Sequence, residues 1–370
     1  MLLTMKRASQ TAIGIDFGGT KIEVALACAD GTLLERERLD TRAELGPGQA
    51  LERTAAVVQR LVTRSREAYG VDVTGYAAVA PGIVQRDRIL LTPNLPGWED
   101  LALSGELQDL LDLGYAPAVG NDVRAGALAE LRFGALRGVD PGLYVSLGTG
   151  ISAAVTVGGN VLAGANQAAG EIAYVDPGLG VGGVGLGTRG DSVRGAGAAP
   201  LEEVVGGKSI GARASAELGE EVTAAELFAR AAAVDGGGGN DGGDAVAREI
   251  VRETLDVLAR SIANISVLID PELIVLGGGM MASGDVILAA LREHLAGAVP
   301  FPPRVAPARF SRDASLHGAV ALALDQAAAL TAAACSRPLD VVRIPAAMPS
   351  APEATNPVEE SPLTTGGPIP

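Results

Sequence analysis

The sequence predicts an internally duplicated α/β architecture, two related domains with a cleft between them. Three observations carry this. At 370 residues the chain is long enough for two domains with sizeable cores. The order strand, glycine turn, strand, turn, strand occurs near the start as "AIGID", "FGGT", "KIEVALA", Asp30-Gly31 and "TLLERERL". It recurs in the middle as "GLYVSL", "GTG", "ISAAVTV", "GGN" and "VLAGA", and each copy is followed by helical spacing of apolar residues. The period is far too long for a solenoid.

Each element has a local reason. Glycine turns between alternating apolar runs are the hairpin signal. Leu51, Ala55, Val58 and Leu61 at helical spacing predict a helix over about 48–69. The strand "GYAAVAPG", the loop "TPNLPGW" and a helix near Leu101–Leu113 follow. Ile250, Leu255, Leu258, Ile262 and Ile265 form the stripe of a long helix from Asp244 to Ile269, which Pro271 ends. "ELIVLGGGM" is then a buried strand running into three glycines, and "DGGGGNDGG" at 235–243 is a surface loop. Residues 1–11 read as a mobile leader, 12–118 as a smaller N-terminal domain, and 119–330 as a larger C-terminal domain whose last helix can pack back on the first. From Ser336 on, Pro, Ala, Ser and Thr dominate, and 331–370 is expected to be a disordered tail.

Composition excludes several classes. Lys+Arg of 29 against Asp+Glu of 44 gives a net charge of −15, which nucleic acid phosphates and anionic membranes would repel. Cys28 and Cys335 can build neither a disulfide framework nor a zinc pattern, as expected in a reducing cytoplasm. "MLLTMKRASQ" has too short an apolar run for a signal peptide. "GAVALALDQAAALTAAA" comes nearest to a membrane span, but Asp325 and Gln326 sit in its middle, so it reads as an amphipathic or buried helix. A soluble cytoplasmic protein is expected, and a homodimer is the expected assembly.

The chemistry concentrates at the glycine turns. In "IGIDFGGTKIEVALA", Gly18 and Gly19 let main-chain N–H groups approach an anion, and Thr20 adds a hydroxyl. Asp16 ends a buried strand and could hold Mg²⁺ directly or through water, and Lys21 could reach a terminal phosphate. An ordinary hairpin turn is the competing reading. The second turn repeats the device with Gly148, Thr149 and Gly150, and paired turns could grip a polyphosphate from both sides. Gly277, Gly278 and Gly279 would suit a flat adenine, whereas the spacing lacks a dinucleotide fingerprint. "VGNDVRAGALAELRFGALRG" puts Asn121 and Asp122 just before a helical run. Asp122 there is either a helix N-cap or a general base toward a substrate hydroxyl, the helix dipole tending to weaken the base. His294 and His317 read as structural or surface residues.

Taken in order, "DFGGTK", "APGIV…PNLPGW", "GNDVRAGALAELRFGALRG", "LGTGIS", "GEI" and "LIVLGGG" resemble the ROK family (repressors, open reading frames and kinases), especially its glucokinase-like members. The resemblance runs from about Ile13 to Leu324. It implies the actin-like, hexokinase-like (ribonuclease H-like) two-domain fold and an enzyme that moves the ATP γ-phosphate to a hexose hydroxyl with Mg²⁺, glucose foremost. A kinase for an N-acetylated amino sugar or fructose and a non-catalytic sugar-sensing regulator are the alternatives. By match, Asp122 is the base, Asn94, Asn121 and Glu171 face sugar hydroxyls, Pro81 and Gly82 border the sugar, and Glu202 in "LEEVVGG" is a further sugar contact. Repressor members carry a DNA-binding helix-turn-helix ahead of the kinase-like body, and the residues before the first strand are too few for one. The family's "GH" is here Ala173-Tyr174, and its Cys-rich zinc module is "GLGVGGVGLGTRGDSVRGAG". No Cys or His lies between Glu171 and Glu202, so no zinc is expected, and Tyr174 is expected to do the positional work of the missing histidine.

Overall fold

A computed structural model of the chain describes residues 10–92, 94–178, 200–233 and 241–335. Most of the expected leader, the stretch 179–199 that stands for the zinc module, most of the 235–243 loop and the tail beyond 335 lie outside those residues.

The first half contains β1 (Thr11–Phe17), β2 (Lys21–Cys28), β3 (Leu33–Asp40), α1 (Gly46–Arg64), β4 (Val73–Ala80), β5 (Ile83–Val84), β6 (Ile89–Leu90), α2 (Leu103–Leu110) and β7 (Ala118–Asn121). α1 continues into one π-helical turn at Ser65–Tyr69. α3 (Asp122–Phe133) leads to β8 (Gly142–Leu147), β9 (Ile151–Val157) and β10 (Asn160–Val161). After them come α4 (Glu202–Val205), α5 (Gly207–Leu218), α6 (Ala224–Ala232), α7 (Asp241–Ile269), β11 (Leu273–Gly277), α8 (Gly284–Ala298), β12 (Arg304–Pro307) and α9 (Ala314–Cys335).

The duplication is visible in the sheets. One has the order β3-β2-β1-β4-β7 and the other β10-β9-β8-β11-β12. In each, three antiparallel strands are extended by two parallel ones, β4 and β7 beside β1, β11 and β12 beside β8. β1 is buried along its whole length because it is central and covered on both faces. β3 is an edge strand whose outward Glu35 and Glu37 pair with Arg64 and Arg60 of α1. The expected third strand "VLAGA" is shorter than the sequence suggests. Only Asn160 and Val161 pair with β9, and the chain then turns through 164–168 toward the cleft.

Alternation sets the two faces of the first sheet. Ile13, Ile15, Val24, Leu26 and Ala78 pack with α1 and α2 into one core. Ala12, Ala25, Ala77 and Val79 point to the other face, where α9 and α3 lie. Small side chains there let helix and sheet approach closely. A Cβ at Gly75 would fall 2.1 Å from the Ala323 carbonyl oxygen, so α9 could not seat with any other residue in that place. This explains the alanine-rich composition of the last helix. Its Asp325 pairs with Arg132 of α3, and Gln326 Nε2 donates to the Ala116 carbonyl. No helix among the described residues is long and apolar enough to cross a membrane. In the second half, β8, β9 and β11 share a core with α5, α7 and α8.

Candidate active site

Asp122 stands where β7 ends and α3 begins, but Asn121 is the N-cap, not Asp122. Asn121 Oδ1 accepts from the Val123 and Arg124 N–H groups at 2.9 and 3.0 Å, and its Nδ2 donates to the Gly82 carbonyl at 2.9 Å. The side chain is 4% exposed. Its expected sugar contact is therefore reduced to the one amide hydrogen these bonds leave over; the rest of the group is scaffold, and the "APG" turn supplies its anchor. Asp122 occupies the first helical position, half-buried, with Oδ1 accepting from Val123 N at 2.8 Å. Burial raises its pKa, and that outweighs the backbone N–H groups and Arg124, which pull it down. The carboxylate is thus a stronger base than a helix start alone would make it.

Glu171 is brought beside it by a tight turn. Gly170 has φ +93°, and a Cβ there would fall 1.9 Å from the Ala153 carbonyl, so only glycine lets the chain reverse at this point. Burial raises the pKa of Glu171, the Asp122 charge adds to the rise, Arg124 opposes it, and Glu202 adds again. Arg124 is buried, donates to the Gln167 carbonyl, and is the cation that Asp122 and Glu171 share. A cation in the first turn of a helix opposes the helix dipole, and its presence there is a sequence signal that anions surround it. Sequence reasoning passes over it.

Asp16, at the end of β1, is 9% exposed and accepts from Ser315 Oγ of α9 at 2.5 Å. Its pKa is raised to about 7, first by burial, against the Ser315 bond, and further by the charge of Asp122. Ser315 is a second residue that sequence reading does not find. Lys21, expected to reach a phosphate, instead pairs with Glu23, which also holds Arg36 at 2.7 Å. The Gly18 N–H is spent on the Lys21 carbonyl at 2.9 Å, which leaves Gly19 and Thr20 at the mouth of the first turn. Leu95 and Trp98 are fully buried and anchor the "PNLPGW" loop, which displays Asn94 against Gly19, within 3.0 Å of where a Cβ would be.

The second turn opens on a cavity of about 520 Å³, a size that suits a small organic ligand. Gly148 and Thr149 line it together with Lys208, Phe228, Gly279 and Met280. Of the three glycines expected against adenine, only Gly279 is on the lining. Gly277 and Gly278 instead let β11 lie against Tyr144 and the Leu147 carbonyl. Gly150 likewise turns away from the cavity, toward Glu202, whose Oε2 accepts from Ile151 N at 3.1 Å. Lys208 is a cation in this cavity that the motifs did not mark, although it opens α5 directly after two glycines.

Tyr174 ends a short 3₁₀ turn, Ile172–Tyr174, whose first two residues are buried and so fix its position. It is 41% exposed. Its hydroxyl makes no hydrogen bond to the described residues, so the expected bond to Glu171 is not formed, although the charges of Glu171 and Glu202 both reach it and add to the rise that burial causes.

A duplicated two-sheet fold with clustered carboxylates beside two glycine turns defines a class, proteins of the actin-like, hexokinase-like fold. The ROK family model matches residues 12–326, and the chain belongs to this family. A glucokinase of Thermotoga maritima is 30% identical over 292 residues, 76% of this chain and 86% of that protein. An N-acetylmannosamine kinase of Shigella boydii is 31% identical over 324 residues, 85% of this chain and 98% of that one. Among solved structures, a ROK hexokinase from Thermus thermophilus superposes with a TM-score of 0.68 at 27% identity, covering 86% of this chain and all of that one. The actin-like, hexokinase-like fold expected from the motifs is the fold of this chain.

Proposed function

We propose that the chain is an ATP- and Mg²⁺-dependent sugar kinase that transfers the γ-phosphate to a hexose hydroxyl, with glucose and N-acetylmannosamine as the first substrates to test. The observation that carries this reading is the grouping of Asp122, Glu171, Asp16 and Arg124 at the start of α3, all three carboxyls raised by burial, and Asp16 and Glu171 raised further by the Asp122 charge. Asp122 accepts the proton of the sugar hydroxyl as its oxygen bonds to the γ-phosphorus and the bond to ADP breaks. Glu171, Asn94, Glu202 and the Tyr174 hydroxyl orient the ring hydroxyls. The N–H groups of Gly19, Thr20 and Thr149 and the ammonium of Lys208 bind the phosphates, with the base toward Phe228 and Met280. In a loose phosphoryl-transfer transition state, positioning of this kind does most of the work. Asp16 fits a hard dication, because its carboxylate is a buried oxygen ligand near a second carboxylate and its side-chain hydrogen-bond partner among the described residues is a hydroxyl. Mg²⁺ held there would neutralise charge on the phosphate oxygens.

The test is ADP release across glucose, N-acetylmannosamine and fructose, with metal analysis of the purified protein. The expected result is sugar-dependent ADP formation that EDTA stops and Mg²⁺ alone restores, with no stoichiometric zinc. No ADP with any sugar, alongside saturable sugar binding, would turn the reading to a regulator. One zinc per chain would refute the replacement of the zinc module.

Tyr174 gives a sharper test of the sugar side. Its hydroxyl, unbonded among the described residues, suits a ligand contact, and one neutral hydrogen bond is worth roughly 0.5–1.5 kcal/mol. Tyr174→Phe is expected to raise the sugar KM by about tenfold at most, and Tyr174→Ala by more, while the ATP KM holds. Unchanged sugar kinetics in Tyr174→Ala would make the residue a bystander.

A further inference from the structure

We propose that the chain carries a second anion site, outside the cleft, that binds a phosphate group, either inorganic or as a small monoester. The proposal does not rest on the kinase reading. Its place is a cavity of about 470 Å³ bounded by Arg132, Phe133, Arg137, Arg309, Phe310 and His317 and closed on one side by the β2–β3 turn. None of these residues belongs to the candidate active site.

Charge is the first argument. In a chain with 44 acidic and 29 basic residues, three arginines line one cavity. Arg132 is paired with Asp325, but Arg137 and Arg309 form no ion pair among the described residues. Asp30 is the carboxylate on the lining, and its Oδ1 accepts from Thr32 N at 3.0 Å. The lining is therefore net positive on a strongly acidic protein.

Preorganisation is the second. Arg309 donates to the Phe133 carbonyl, and its guanidinium lies 5.4 Å from the centre of the Phe310 ring. It is held in place while most of its N–H groups stay available, which lowers the entropic cost of binding. The Phe310 ring also stacks on His317 at 4.2 Å, and His317 Nδ1 is buried with no partner among the described residues. A buried polar nitrogen without a partner is costly and commonly marks a missing ligand or water. Phosphate fits better than a carboxylate. Arg137 and Arg309 come from different parts of the chain, and a tetrahedral oxyanion can accept from both forks while a flat carboxylate engages one. The volume leaves room for a small organic group against Phe133 and Phe310.

Isothermal titration with inorganic phosphate and with glycerol 3-phosphate tests this, each with and without Mg²⁺ and the ATP analogue AMPPNP. The expected result is one phosphate per chain that survives AMPPNP, and at least about tenfold weaker binding in Arg137→Gln/Arg309→Gln. Arg137→Gln alone, at an exposed side chain with no bond among the described residues, should also weaken binding and guards against a folding defect. Tighter binding of glycerol 3-phosphate would identify a monoester site, and equal binding a site for phosphate itself. Unchanged binding in the double variant, displacement by AMPPNP, or no heat at millimolar phosphate would overturn the proposal. If AMPPNP does not bind, the kinase reading fails, but the arginine variants still decide this one.

Discussion

Asp122→Asn is expected to lower turnover by roughly 100- to 10,000-fold, the usual range for removing a positioned acid–base group, while sugar binding stays within a few-fold of the wild type. The two outcomes separate because the substitution keeps what the fold needs. Asn121, not residue 122, caps α3, and an asparagine at 122 can still accept from Val123 N. What disappears is the proton acceptor and a negative charge. With that charge gone, Asp16 and Glu171 should ionise more readily, since Asp122 raises both. Steady-state kinetics beside a sugar-binding titration make the comparison. Near-normal turnover in a folded Asp122→Asn protein would remove Asp122 from the reaction.

Asp16→Asn should abolish turnover and yet stabilise the free protein at neutral and alkaline pH. A carboxyl whose pKa is raised in the folded state keeps a proton that the unfolded chain gives up. The folded state thus holds more protons between pH 4 and 7, and its stability falls as pH rises through that window. Lifting Asp16 from 3.8 to about 7 implies a cost on the order of 4 kcal/mol as an upper bound, reached above pH 7. Asparagine carries no such cost and can still accept from Ser315. The variant's advantage in melting temperature should therefore grow from acid pH and level off above 7. Equal melting temperatures at pH 8, or full activity in the variant, would refute the buried-ligand role. A site held ready for a cation at the expense of stability is a familiar trade.

Patterns that depend on neighbours in sequence were readable, and those that depend on distant partners were not. The two strand–turn–strand units announce themselves through alternation and glycine, and both sheets follow from them. The cap on α3 was ambiguous because asparagine and aspartate stand side by side and either can cap; the Gly82 carbonyl, far back in the chain, decided for Asn121. Lys21 reads as a phosphate ligand because it follows the glycine turn, but Glu23 lies two residues on along the strand, on the same face, and takes the ammonium. Ser315 lies 299 residues from the carboxylate it bonds, and nothing local distinguishes it from any serine at the start of a helix. The sequence allowed α9 to pack back on the first domain, but did not say which residues meet. A helix this rich in alanine has only a weak stripe, so periodicity does not single out the face that meets the sheet.

That helix has a consequence for how the protein is made. The first sheet is built from the earliest part of the chain, yet one of its faces is covered by residues 314–335. A ribosome makes those residues long after β1 and β4. Until then Ala12, Ala77 and their neighbours lack the cover of α9, and the nascent first half waits with an apolar surface that closes only once α9 has been made. The two halves duplicate one another in design, but they cannot be completed one after the other.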